Sequence, residues 1–145
     1  MAGETIGARG SFTEIIASAA VADAAFSAES TAISAALTTS PDSDMPLLDF
    51  QAIVTSGTPA ATGVMHLYRR AKADGTNKAN VPSTTSKQTY VGTFVMDATA
   101  PTTYYYIFGV DNCDPDATYY VENADGVSSL TFSVKVRGRT YTGAA

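Results

Sequence analysis

The sequence predicts an all-β protein: an antiparallel β-sandwich, jelly-roll-like, with about eight strands and a flexible N-terminal arm. Six short runs alternate apolar with polar or mixed residues at a period of two, which is the period of side chains along a strand. Turn-forming pairs such as Asp-Gly and Asp-Pro separate these runs. The runs are also rich in Val, Tyr, Phe and Thr, which favour strands. The length of 145 residues suits one domain.

The N-terminus divides from the rest of the chain by composition. Residues 1–10 contain three Gly and no apolar run, so we expect residues 1–12 to form a flexible arm. Neither an internal repeat nor a linker between two cores is visible after it. We therefore expect residues 13–145 to form a single jelly-roll domain.

Residues 13–26 allow two predictions. The segment 11–14 matches a capping box, and Ile15, Ile16, Ala19 and Ala20 would lie on one helical face. The competing prediction places strands at 16–26 and 31–37. We prefer the strands, because they would raise the count to the eight strands of a jelly roll.

The remaining six strands follow from alternation. Residues 130–137 give the clearest case, with Leu, Phe, Val and Val alternating with Thr, Ser, Lys and Arg. Short turn signals separate the runs, which is typical of antiparallel sandwiches. The predicted strands cover residues 48–54, 64–68, 90–96, 104–110, 118–121 and 130–137.

Composition limits the possible functions. The chain holds 24 Ala, 20 Thr and 13 Ser, carries a net charge of -5, and has one Cys and one His. One Cys excludes an internal disulfide framework and a thiolate zinc cluster, and one His excludes a multi-His metal site. An acidic chain is a poor ligand for phosphate backbones, so no direct nucleic-acid partner is expected. These counts favour a structural or binding protein over an enzyme, with no cofactor.

Targeting signals are not predicted. Glu4 lies in the first residues, which lack an apolar run, and Asp23 and Glu29 interrupt the Ala-rich stretch 17–37. Neither a secretory signal nor a membrane span is expected, and no membrane partner. The free Cys113 fits a reducing compartment.

Residues 111–116 hold three Asp and one Asn. Oxygen ligands at alternate positions could bind calcium, but the run lacks the Gly and distal Glu of a helix-loop-helix site. Asx-Pro turns have the same composition, so an ordinary turn is preferred and no metal is assigned. Cys113 lies in this turn beside acidic residues, which disfavour a thiolate. His66 alternates with Val64 and Tyr68, so it is expected to pack at a sheet surface.

Two basic groups lie at the ends of predicted strands. They are Arg69, Arg70 and Lys72, and Lys135, Arg137 and Arg139. One interpretation is protection of sheet edges, because charged side chains discourage further strand pairing. The other is a patch that docks onto an acidic protein surface, and nucleic-acid binding is less favoured.

Tyrosines form a second set of candidate contact residues. Alternation puts neighbours on opposite faces, so Tyr105 and one of Tyr119 or Tyr120 are expected to be exposed. Such rings serve protein interfaces, cross-strand packing or stacking on sugars, although the absence of Trp weakens the sugar interpretation.

Residues 46–77 carry a resemblance to a known family. They have a Leu-x-Phe strand at Leu48 and Phe50, a Thr-Pro-x-Ala-x-Gly turn at 58–63, a Val-x-x-Leu-Tyr strand at 64–68 and Asp-Gly at 74–75. The later Tyr-Val-Gly-Thr-Phe at 90–94 and the small-residue stretch 15–33 add to it. This pattern resembles the jelly-roll capsid decoration, or cement, proteins of tailed bacteriophages.

The resemblance implies a non-enzymatic virion protein, assembled in the host cytoplasm and located on the capsid exterior. Its implied partners are the major capsid protein and further copies of itself, as a homodimer or homotrimer. With the residue patterns above, it predicts a set of contact residues. Alternatives are a carbohydrate-binding β-sandwich module and a tail or head-fibre component. The predicted contact residues are Ile6, Arg9, Phe12, Arg69, Arg70, Lys72, Tyr105, Arg137 and Arg139.

Overall fold

The computed structural model describes residues 5–37, 46–72, 76, 79–83, 89–99 and 101–142. Within these residues the chain forms eight strands and one short helix. The elements are β1 (Thr5–Arg9), β2 (Thr13–Val21), α1 (Ile33–Ala36), β3 (Leu47–Ser56), β4 (Val64–Arg70), β5 (Tyr90–Val95), β6 (Thr103–Asp111), β7 (Thr118–Ala124) and β8 (Leu130–Thr142).

The strands form two antiparallel sheets. The large sheet has the order β1-β8-β3-β6, with β2 also pairing with β8, and the small sheet has the order β5-β4-β7. The chain crosses from one sheet to the other at the β3–β4, β5–β6, β6–β7 and β7–β8 connections, as in a jelly roll. The all-β sandwich predicted from the sequence is therefore confirmed. All six strands predicted from alternation are present, and all of them except β5 extend beyond the predicted runs.

The core lies between the inner faces of the sheets. Phe50 of β3 packs against Tyr119 of β7, with ring centroids 4.8 Å apart. The predicted inward residues of β8, from Leu130 to Val136, are buried. Burial of such large side chains stabilises a protein by about 1.5–3 kcal/mol each. One apolar cluster spans both sheets.

Residues 24–34 cover the outer edge of β7. They supply hydrogen bonds to its backbone without forming a regular strand. The Ser27 and Ser30 amides donate to the Val121 and Tyr119 carbonyls, at 2.8 and 2.9 Å. The two serine hydroxyls accept from the amides of those same β7 residues, at 3.0 and 2.8 Å. Each hydroxyl also donates to the carbonyl of the next residue in the chain. The serines therefore satisfy an edge that would otherwise expose unpaired backbone groups.

The prediction of a flexible N-terminal arm is corrected. Residues Thr5–Arg9 form β1, paired with β8 through Ile6↔Tyr141 and Arg9↔Arg139, so a flexible arm is wrong for these residues. The C-terminal half of β8 extends past β2, and β1 pairs with the edge that is left free there. No local sequence pattern indicates this pairing. Residues 1–4 of the predicted arm lie outside the described residues.

The choice between helix and strand is resolved differently in two places. Thr13–Val21 is a strand, which confirms the preferred strand prediction for residues 16–21, whereas residues 22–26 lie outside any strand and the prediction is wrong for them. A strand at 31–37 is wrong, because α1 lies there instead. Ile33 and Leu37 are both buried, and one helical turn brings residues four apart to the same side. Among the described residues no helix is long and apolar enough to cross a membrane.

Candidate interaction surface

The described residues contain no group of three or more His, Cys, Asp or Glu side chains that could hold a metal ion. In the turn at 111–116, the Asp114 carboxylate accepts from the amides of Lys72 (2.8 Å) and Asp116 (2.9 Å). These bonds are those of a turn held by its Asx side chain. His66 Nδ1 lies 3.0 Å from Thr93 Oγ1 at the surface of the small sheet.

The outer face of the large sheet carries a buried charged cluster. Asp49 is fully buried, and its Oδ2 accepts from Arg137 Nε at 2.9 Å while its Oδ1 lies 3.2 Å from Arg139 Nε. Oδ1 also accepts from the Gly109 amide at 3.0 Å. Gly109 has a φ of +71°, which favours glycine and lets β6 turn its amide toward Asp49. The cluster therefore ties β3, β6 and β8 together.

Edge protection is the wrong interpretation for Arg137 and Arg139. Arg137 lies opposite Asp49 in the β3–β8 register, and β8 has neighbours on both sides. These arginines therefore neutralise a buried carboxylate inside the sheet. The sequence gives no local sign of this pairing, because Asp49 lies 88 residues from Arg137.

Phe12 joins this cluster from the connection between β1 and β2. The Arg137 guanidinium carbon lies 4.5 Å from the centroid of the Phe12 ring, within cation–π range. The same ring lies 6.1 Å from the Tyr106 ring. Gln51 Nε2 donates to the Tyr106 hydroxyl at 2.9 Å. Phe12 and Arg137, two of the predicted contact residues, are therefore adjacent.

Tyr104, Tyr106 and Phe108 form an exposed row on β6, which we call the aromatic row. Their exposed fractions are 53%, 43% and 58%. The rings of Tyr106 and Phe108 are nearly parallel, with an interplanar angle of 7° and centroids 5.3 Å apart. The row lies beside the Asp49 cluster, on a strand that pairs on one side only among the residues the structure describes.

The expected exposure of Tyr105 is wrong. Tyr105 is 7% exposed, and its hydroxyl donates to Asp97 Oδ1 at 3.1 Å. Burial, together with this bond, raises the pKa of Tyr105 above its ordinary value. Alternation correctly placed Tyr105 on the opposite face of β6 from Tyr104 and Tyr106. It could not show which face turns inward, because both faces carry aromatic side chains. Tyr119 and Tyr120 are both buried, so the exposure expected for one of them is also wrong.

The other basic group belongs to the small sheet. Arg70 forms an ion pair with Glu29 at 3.1 Å and donates from Nε to the Ala79 carbonyl at 2.7 Å. Arg69 Nη1 lies 3.4 Å from the Asp111 carbonyl oxygen. Because β4 lies between β5 and β7, edge protection is wrong for Arg69 and Arg70 too.

The predicted contact residues therefore fall into separate places. Phe12, Arg137 and Arg139 meet on the outer face of the large sheet, whereas Arg69, Arg70 and Lys72 lie at the end of β4. Ile6 and Arg9 lie in β1, and their side chains are outside the described residues. A role in partner contact remains a prediction for all of them.

Exposed apolar residues concentrate on one side of the sandwich, the β5/β6 side. Of the seven large apolar side chains exposed among the described residues, five lie on β5 or β6. Between these strands lies a cleft of about 380 Å³, into which Arg69 and Ile107 also reach. Sequence reasoning missed this concentration, although apolar residues on both faces of two short strands were a signal for it. The five residues are Tyr90, Val95, Tyr104, Tyr106 and Phe108.

This side has features that interaction surfaces share. It offers apolar and aromatic area on two neighbouring strands, and Arg69 lines the cleft between them. Comparisons with protein-family models, with curated proteins and with solved structures found no match. The function is therefore proposed from this chain's own residues.

Proposed function

We propose that this chain is a capsid decoration protein of a tailed bacteriophage, which binds the outer surface of the major capsid protein lattice and stabilises the shell. The observation that carries the proposal is the exposed aromatic row on the outer face of the large sheet. Clusters of exposed aromatics are rare on the surfaces of monomeric proteins and mark contact sites. The resemblance of residues 46–77 to decoration proteins supplies the identity of the partner.

The charges beside the aromatic row suit an acidic partner. Arg137 and Arg139 share the single carboxylate of Asp49, which leaves about one positive charge on this part of an otherwise acidic chain. Complementary charge speeds association and sets orientation more than it adds affinity. The same contact repeated over a lattice supplies strength by avidity.

The test measures binding to expanded shells that lack the protein. We expect the wild type to bind and to raise the temperature at which the shells rupture. The double variant Tyr104→Ser/Phe108→Ser should bind at least tenfold more weakly, because truncating interface aromatics costs about 2 kcal/mol or more. The matched control is Val127→Ser, which removes an exposed apolar side chain from the turn between β7 and β8.

Two outcomes would contradict the proposal. The wild type could fail to bind such shells, or the double variant could bind as tightly as Val127→Ser. Binding to a tail or to a single vertex, seen in images of the particle, would support a tail or head-fibre component instead.

A second candidate, carbohydrate binding, is favoured by the parallel rings of Tyr106 and Phe108. Flat adjacent rings can stack on the faces of a sugar chain, as in carbohydrate-binding modules. A glycan array tests this directly. Binding that Tyr106→Ala and Phe108→Ala each abolish, without binding to shells, would replace the capsid proposal. Tyr105→Ala is unsuitable for this purpose because Tyr105 is buried.

A further inference from the structure

We propose that β6 pairs with β6 of a second copy of this chain, so that the two large sheets join into one across a two-fold axis. β6 is the end strand of the large sheet, bonded to β3 on one side and, among the described residues, to no strand on the other. Alternate backbone amides and carbonyls of an edge strand point away from its neighbour and can bond to a further strand. Residues 104–107, about 13 Å of chain, run in unbroken register with β3 before the bulge at Phe108 and Gly109.

β6 carries no charge or proline along most of its length, although a bulge at Phe108 and Gly109 interrupts the strand near its C-terminal end. From Thr103 to Val110 it contains no charged residue and no proline, and its one charge is Asp111 at the end. Charged or proline residues within an edge strand are the usual obstacles to edge-to-edge pairing. The contrast with β7 is direct, because residues 24–34 of the same chain cover that edge.

Antiparallel self-pairing also makes the aromatic row complementary to itself. With Tyr106 opposite Tyr106 of the second copy, Tyr104 of each copy lies opposite Phe108 of the other, on one face. Aromatic cross-strand pairs stabilise antiparallel sheets by about 0.2–1 kcal/mol each. The Asp111 carboxylates lie at opposite ends of the joined strands, so no like charges face each other.

A second copy fits this edge better than a disordered peptide. The β6 of the second copy is already extended and held by β3, so pairing costs no ordering of a free chain, which a peptide would have to undergo. Two-fold pairing is closed, and this interface therefore gives a dimer and not a trimer or a fibre. The joined sheet would place two aromatic rows side by side, which goes beyond the proposed function and is measurable without any shell.

Cysteine cross-linking tests the register. In a Cys113→Ser background, Tyr106→Cys should form an interchain disulfide on mild oxidation, because residue 106 faces itself across the axis. Tyr104→Cys, with similar exposure, is the matched control. Its two copies would lie about 13 Å apart along the joined strands, beyond the reach of a disulfide. The Tyr104→Cys/Phe108→Cys double variant should cross-link again.

Sedimentation equilibrium of the full chain tests the dimer itself. We expect twice the monomer mass, and a dissociation constant raised at least about tenfold by Tyr106→Lys, because like charges then face each other. Val127→Lys, which adds the same charge far from β6, should leave the dissociation constant unchanged. A wild type that is monomeric at about 0.1 mM overturns the proposal, as does a trimer. So does cross-linking of Tyr104→Cys without Tyr106→Cys. A wild type that dimerises but does not bind the shells would contradict the proposed function alone.

Discussion

The two long sides of this sandwich differ in whether their edge strands are covered. On one side, residues 24–34 run along β7 and satisfy its backbone through Ser27 and Ser30. On the other, the β5/β6 side, two edge strands carry five exposed apolar side chains. Within the described residues, the chain covers the first edge itself and leaves the second uncovered.

We therefore expect the covered side to determine the stability of the fold and the uncovered side to determine binding. The covered side consists of buried residues with satisfied hydrogen bonds, so substitutions there should lower the free energy of unfolding. The aromatic row contributes little packing to the core, so substitutions there should change binding and leave the fold intact. The Asp49 cluster lies between these cases, because it holds β6 in place under the aromatic row.

The largest expected effect comes from Asp49→Ala. Removing the carboxylate leaves the Arg137 guanidinium and the Gly109 amide without their acceptor and Arg139 without its ion-pair partner, and should lower the free energy of unfolding by about 3 kcal/mol or more. Urea denaturation measures it. The control Asp116→Ala removes an exposed carboxylate and should cost less than about 1 kcal/mol. Equal losses in the two variants would show that the cluster does not hold the β6 side.

Ser27→Ala and Ser30→Ala test the covered edge. Each leaves a buried β7 amide without its acceptor, which should cost about 1–3 kcal/mol. Hydrogen exchange at the amides of Val121 and Tyr119 should accelerate more than exchange elsewhere in β7. Ser18→Ala, at an exposed position of β2, is the matched control. If both serine variants matched this control, the two sides of the sandwich would not differ as described.

Phe108→Ser tests the open side. Because the side chain is exposed, the free energy of unfolding should change by no more than about 0.5 kcal/mol. The far-ultraviolet circular dichroism spectrum should be that of the wild type. A loss of several kcal/mol would place Phe108 in the core of the protein and remove the basis for calling this side open.

Alkaline titration tests the burial of two tyrosine hydroxyls. Burial, with a hydrogen bond to Glu122, raises the pKa of Tyr68 from 10.0 to about 12, and burial raises that of Tyr119 to about 12. The folded state therefore retains these protons at a pH where the unfolded state loses them. Their stabilising contribution is complete below pH 10 and is lost as pH rises toward 12.

Tyr68→Phe tests this origin of the alkaline loss. The free energy of unfolding, measured by urea denaturation from pH 9 upward, should decline less steeply in the variant than in the wild type. Adding Tyr119→Phe should flatten the decline further. An unchanged slope in both variants would assign the alkaline loss to other groups.

Much of the fold could be predicted locally. In β3 and β8 an apolar face alternates with a polar one, so period and burial agree, and the strands are where the sequence predicts them. In β6 the period is clear, but both faces are aromatic, so alternation could not say that Tyr105 turns inward. At 31–37 the sequence predicted a strand, but a helical turn at α1 buries Ile33 and Leu37 on the same side.

The candidate surface was less predictable. Phe12, Arg137 and Arg139 were chosen as contact residues for their type, and they do lie together, beside an aromatic row that the prediction did not include. Lone basic residues look alike in sequence whether they protect an edge or pair with a buried carboxylate. The decisive partner, Asp49, is distant along the chain.

The sequence by itself determined that the chain forms strands, where most of them lie and which residues alternate, because side-chain periodicity is a property of neighbours. Its counts of one Cys and one His also excluded the metal sites and disulfides that need several such residues. Only the tertiary structure decided which strands are central, which edge is covered and which aromatics are exposed. Those properties depend on pairings between distant segments, such as β1 with β8 and Asp49 with Arg137, whose geometry exists only once the sheets have formed.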